Sequence, residues 1–223
     1  MSKAAIQGFS ADNFTCAVIG AGGLGCNIAV HLAGAGIKRL ILCDFDKVSR
    51  ANLNRQFLYT NEDIGIKKVF AAEKRLKAYA PETDISAFDI KLSENNIPEE
   101  LKGCDMIFFA ADNKKARECI SDFCAKNKIP LMLGGIDGFY GKTYLYIPDE
   151  TPSPKEAGMI EGRKPSANIS AAAGVIGSLQ TAIGIQYLLT KDNTLGGRLT
   201  VFDKDSFSTL EIKQRKRKRD DKA

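Results

Sequence analysis

Apolar residues fall into short runs separated by amphipathic stretches, and the rhythm is regular from residue 15 to residue 134. Residues 15–19 (Thr-Cys-Ala-Val-Ile) have the length and character of a buried strand. They end on Gly20-Ala-Gly22-Gly23-Leu-Gly25, a helical pattern follows to about Gly36, and a second apolar run, Leu40-Ile-Leu-Cys43, closes on Asp44. Strand, glycine turn, helix, strand and acid make a βαβ unit. The alternation predicts a helix over 65–79, strands over 84–89 and 105–110, a helix over 113–127 and a strand over 130–134. Such an order implies an α/β fold: a Rossmann-like open, mainly parallel sheet with helices on both faces.

From Lys142 the pattern changes. Residues 143–147 read as a strand, and 149–167 is a Pro-, Gly- and charge-rich stretch without periodicity, the mark of a functional or mobile loop. Residues 168–189 are apolar enough to suggest a membrane span, but Asn168, Ser170, Ser178, Gln180 and Gln186 interrupt them. A buried helix, whose Gly and Ser positions allow close packing, is the better reading, and no membrane association is expected. Strands over 198–203 and 207–212 form a C-terminal antiparallel extension. The expected organisation is one domain over 1–212 and a disordered basic tail over 213–223.

Composition changes this picture in two places. The 223 residues carry a formal net charge of +5, with 32 Lys and Arg against 27 Asp and Glu. Residues 213–223 hold seven of the basic and two of the acidic residues, so the whole excess lies in the tail. Nucleic acid is therefore not an expected partner beyond a weak contact by that tail. The only histidine, His31, falls in mid-helix, which leaves Asp, Lys, Arg and metal to do any chemistry. Six cysteines without a C-x-x-C pair or a secretory pattern predict a reducing cytoplasm, no disulfide framework and no Cys-based zinc site.

The glycine turn suits a nucleotide, because it lets backbone N–H groups approach phosphate and opens a helix N-terminus. Gly20-x-Gly22-x-x-Gly25 with Asp44 also fits a dinucleotide fingerprint, so a nicotinamide-dependent oxidoreductase is the first rival. The segment Asp44-Phe-Asp-Lys-Val-Ser-Arg-Ala-Asn52-Leu-Asn54-Arg55-Gln56, with Lys68 following, separates the two. A dehydrogenase has no need of it. An enzyme gripping a triphosphate does, with Arg55 as a bidentate phosphate ligand and Lys68 as a point charge. Asp112-Asn113 ends an apolar strand at the edge where open α/β sheets bind ligands, and a carboxylate there suits magnesium.

In these residues, and in Gly141 and Gly174-Val-Ile-Gly-Ser-Leu-Gln180, the sequence resembles the adenylating enzymes related to ubiquitin-activating enzyme. It is most similar to bacterial members that activate sulfur-carrier proteins. The resemblance implies that Gly23 and Asp44 contact the nucleoside, with Asp44 on the ribose, and that Asn52 and Arg55 hold phosphates. It puts Lys68 on the phosphate chain, Asp112 on magnesium and Asn113 beside it in the cofactor site, with Arg55, Lys68 and Asp112 as the catalytic set. The implied cofactors are ATP and Mg2+ without zinc. The implied partners are a small ubiquitin-like carrier ending in Gly-Gly and a second copy of the chain. Adenylation of a ribosomal peptide or another carboxylate, and a non-catalytic nucleotide-binding subunit, are the alternatives. Two family features are missing: residues 1–14 contain no arginine to serve a partner's ATP, and no cysteine follows Cys124. The second predicts chemistry that stops at the acyl adenylate.

Overall fold

The computed structural model describes residues 10–161 and 168–213. The chain runs β1 (Thr15–Ile19), α1 (Gly23–Gly34), β2 (Arg39–Asp44), α2 (Lys68–Tyr79), β3 (Asp84–Asp89), β4 (Met106–Phe109) and α3 (Lys114–Asn127). It continues β5 (Leu131–Asp137), β6 (Tyr140–Tyr146), α4 (Ser170–Thr190), β7 (Arg198–Asp203) and β8 (Ser206–Glu211). One eight-stranded sheet results, in the order β3-β2-β1-β4-β5-β6-β7-β8. β1 to β5 are parallel, and β6, β7 and β8 join antiparallel as the expected extension.

Two-residue periodicity explains why both faces are covered. Cys16, Val18, Met106 and Phe108 point to the face under α1, α2 and α4, while Ala17, Ile19, Ile107 and Phe109 point to the face under α3. Strands buried on both sides read as unbroken apolar runs, which is how they appear in the sequence.

α4 is long and apolar enough, by composition, to cross a membrane. Here it lies on α1 and across β4, β5 and β6. Its small residues set the distance: a Cβ on Gly177 would sit 2.6 Å from Asn27 Cβ, and one on Gly184 2.6 Å from the Phe108 ring. α2 begins at Lys68 rather than 65, because Gly65 takes φ +90° and Lys67 is still extended and bridged to Lys47. β6 starts earlier than the periodicity suggests, at Tyr140, paired to Asp137 of β5.

The aperiodic stretch after β6 is packed as far as it is described. Met159 and Ala157 are buried against the α3 face, and the Tyr144 hydroxyl donates to the Pro152 carbonyl at 2.7 Å. The rest of the expected loop, 162–167, and the basic tail from 214 onward lie outside the described residues.

Candidate active site

The chain leaves β1 toward β2 and β3, then returns to place β4 on the other side of β1. Loops therefore diverge at the C-terminal ends of β1 and β4 and open a crevice there. Gly20, at φ +98°, turns the chain out of β1, and a Cβ on it would meet Ala111 N at 2.8 Å. The two loops are thus in backbone contact, which only glycine permits. α1 opens at Gly23 with no side-chain cap, so its first N–H groups face the crevice available to a ligand acceptor.

Asp44 fixes this turn. Its Oδ2 accepts from Ala21 N at 2.6 Å and its Oδ1 from Asp46 N at 2.7 Å, so a nearly buried carboxylate is held by two backbone donors. From the next peptide, the Ala21 carbonyl accepts from the Tyr59 hydroxyl at 2.8 Å. Asp44 keeps lone pairs enough to accept from a ribose hydroxyl as well.

The cations come from the segment after β2. Arg55 packs its stem on Gly23, where a Cβ would meet Arg55 Cγ at 3.6 Å. Its guanidinium donates to the Ala51 carbonyl at 3.3 Å and to Asn54 Oδ1 at 3.0 Å, two neutral acceptors that leave its charge for a ligand. The Asn52 carbonyl accepts from Arg55 N and Gln56 N, closing the turn that aims Arg55. Lys68, the first residue of α2, is 5 % exposed and ion-paired with Asp46 at 2.9 Å. A buried ammonium needs such a partner.

Asp112 is exposed just beyond β4. Asn113 takes the capping role: its Oδ1 accepts from Ala116 N at 3.2 Å at the start of α3. Gly23, Asp44, Asn52, Arg55, Lys68, Asp112 and Asn113 all line one cleft of about 620 Å³, a volume suited to a nucleotide. The same cleft is lined by Arg117, Lys142 and Gln56, which the sequence reading did not assign as site residues. Neither cation had a local signal: Lys142 precedes the strand expected at 143–147, and Arg117 lies one turn into the helix that Asn113 caps, where a charged residue is ordinary. Gln56 is nearly buried and its Oε1 has no protein partner.

The six cysteines are free and buried. Burial pushes the Cys26, Cys43 and Cys104 thiols up to about 12 and those of Cys16 and Cys124 further. Cys26, nearest the nucleotide turn, donates to the Ala21 carbonyl at 3.6 Å and acts as part of the scaffold.

A crevice of this kind, lined by a glycine turn, a buried aspartate and separate cations, defines a nucleotide-binding α/β protein. The chain belongs to the ThiF family, whose profile matches residues 10–223. It is 31% identical over 214 residues to the sulfur carrier protein adenylyltransferase of Thermus thermophilus, covering 90% of this chain and 79% of that protein. It is 31% identical over 226 residues to the adenylyltransferase and sulfurtransferase MOCS3 of Aedes aegypti, covering 97% of this chain but 52% of that protein. The chain thus spans about half the length of that relative. Among solved structures, E. coli MccB with ATP superposes with a TM-score of 0.77 at 19% identity, over 92% of this chain and 65% of that one, a likeness of fold.

Proposed function

We propose that the protein is an ATP- and Mg2+-dependent adenylyltransferase that activates the C-terminal carboxylate of a small ubiquitin-like sulfur carrier ending in Gly-Gly. The observation that carries this is the convergence of residues from separate segments, 20–25, 44–46, 52–56, 68 and 112–113, on one cleft. The relatives named as adenylyltransferases support the same reading.

Two anions must meet for a carboxylate to attack the α-phosphorus. The task of the protein is to neutralise charge and hold the attack in line, with no proton to remove. Arg55 binds phosphate oxygens, and Lys68 exchanges part of its contact with Asp46 for the phosphate chain. Asp44 orients the nucleoside. Asp112 is a hard oxygen donor, and magnesium is commonly held by one or two carboxylates together with substrate phosphates, so the residues present fit the ion. When bound, the ion supplies neutralisation of the pyrophosphate leaving group. We further place the enzyme in a reducing cytoplasm, in keeping with six free thiols, and as a homodimer, with residues 1–212 forming the one adenylating domain.

The test is mass spectrometry of candidate Gly-Gly-ending carriers incubated with the protein and magnesium-ATP. An AMP adduct on the carrier C-terminus is expected. Pyrophosphate exchange that no such carrier stimulates, but a short peptide does, would overturn the choice of substrate.

A further inference from the structure

β4 and β5 lie side by side from Ile107↔Leu131 to Phe109↔Leu133 and then part. β4 stays with β1, where Ala110 N donates to the Ile19 carbonyl at 2.8 Å, while β5 stays with β6 as far as Asp137↔Tyr140. The sheet is forked at the cleft, and backbone groups on the inner edges of the fork lose the partners that a ladder would supply. Arg117, reaching across from α3, stands at this point. Its Nη2 donates to the Ala111 carbonyl on one side and to the Gly134 carbonyl on the other, at 3.4 Å each. Its Nη1 donates to the Met159 carbonyl at 2.6 Å, which fastens a buried residue of the stretch after β6 to the same place.

The guanidinium lies 5.3 Å from the centroid of the Phe109 ring, on the last residue of β4 before the fork. Three segments distant in sequence are thus held by one rigid plane. A planar group with several donors in fixed directions can do this, and an ammonium, a point charge, cannot. With these donors spent on backbone, Arg117 acts on the shape of the cleft and not as a ligand. One residue it braces is Ala111, whose neighbour in the chain is Asp112. Burial pulls the Arg117 guanidinium below the usual arginine range, and the charge of Asp112 opposes that shift.

We propose that Arg117 is a positioning residue, a wedge in the fork between β4 and β5 that sets the stance of Asp112 toward magnesium. The assignment rests on the adenylation reading, in which Asp112 is the carboxylate for that ion. Magnesium demands near-ideal octahedral geometry, so a carboxylate displaced with its loop holds the ion poorly. Two effects oppose each other on substitution. Removing the cation favours the metal by Coulomb attraction, while removing the brace lets Asp112 drift. Arg117→Lys keeps the charge and gives up the span, and so isolates the second effect. Residues that orient a metal ligand typically contribute about 10- to 100-fold in metal affinity.

The test is calorimetric titration of ATP into the full chain, once with magnesium and once with EDTA. Wild type should bind ATP about tenfold tighter, or more, with magnesium. Arg117→Lys should lose most of that gain while its affinity in EDTA stays within about twofold of wild type, since Arg55, Lys68 and Asp44 are untouched. Arg117→Gln, too short to span the fork, should give the same pattern and carries the test if the lysine variant does not fold. Asp112→Asn should lose the same gain, and the double variant Asp112→Asn/Arg117→Lys no more than either alone, because the two residues act through one contact. Hydrogen exchange reads the fork without nucleotide: amides of residues 110–113 should exchange faster in Arg117→Lys than in wild type, with those of β1 and β2 unchanged. A full magnesium gain in a folded variant, losses that add in the double variant, or unchanged exchange at 110–113 would overturn the wedge. Wild type that binds ATP no tighter with magnesium, or not at all, would instead sink the magnesium-ATP reading.

Discussion

Lys68 occupies a position few lysines do, at the first residue of a helix and nearly buried, ion-paired among the described residues with Asp46 alone. Arg55→Ala, Lys68→Ala and Asp112→Ala are each expected to cut pyrophosphate exchange by about 100- to 1,000-fold, the usual cost of one ligand to developing charge. Their melting temperatures should stay close to wild type, since Asp46 and Asp112 are exposed enough to be resolvated. A folded Lys68→Ala protein with near-normal exchange would mean that the phosphates lie elsewhere. For the thiols the expectation is silence. With burial holding Cys26, Cys43 and Cys104 near 12, thiolate is negligible at pH 8, and native protein should react with a thiol reagent far more slowly than the six equivalents released in denaturant. A rapid equivalent at Cys26, or a DTT-sensitive carrier adduct, would contradict chemistry that ends at the adenylate. These residues were legible because each sits in a contiguous motif or carries a type of atom that chemistry requires. Arg117 and Lys142 were not, since they meet only through the packing of α3 against β5 and β6.

At the scale of elements, α4 shows how two opposed effects are decided by magnitude. Glycine costs a helix about 1 kcal/mol against alanine, so every Gly→Ala change there begins with that gain. At Gly174 a Cβ would meet only Asn27 Oδ1 at 3.7 Å, an ordinary contact, and Gly174→Ala should stabilise by about 0.5–1 kcal/mol. At Gly184 the same atom would lie 2.6 Å from the Phe108 ring, and overpacking of about 1–3 kcal/mol outweighs the gain. Gly184→Ala should therefore lower the urea midpoint while Gly174→Ala raises it; equal shifts would show that α4 is not seated on β4 as described. The helix itself was readable from its length and small residues, as were the strands, whose apolar runs are unbroken because both sheet faces are covered. What the pattern could not reveal was the α2 boundary. Lys67 carries a helix-compatible side chain, and the bridge to Lys47 that keeps it extended comes from a residue twenty positions away.

For the molecule as a whole, a site assembled from distant segments predicts that its ligand stabilises the entire fold. Magnesium-ATP at about 100 times its Kd should add about 2.7 kcal/mol to the unfolding free energy, seen as a raised melting temperature, and NAD should add nothing. Stabilisation by NAD in place of ATP would return the glycine turn and Asp44 to a dehydrogenase. The sheet order follows from the alternation of strand and helix, because parallel strands need crossovers that place them side by side. The reversal that sets β4 beside β1 has no local signal, since it joins Thr15 to Asp105 across 90 residues. That separation also fixes a timetable. At roughly 5–20 residues per second of synthesis, β1 emerges about 5–18 s before the strand that will cover its second edge. During that interval a growing chain holds the glycine turn but lacks the wall opposite it, so nucleotide cannot assist the early half of folding. Only once Asp112 has left the ribosome does the chain possess both walls of the cleft, and the newborn protein must protect its central strand until then by other means.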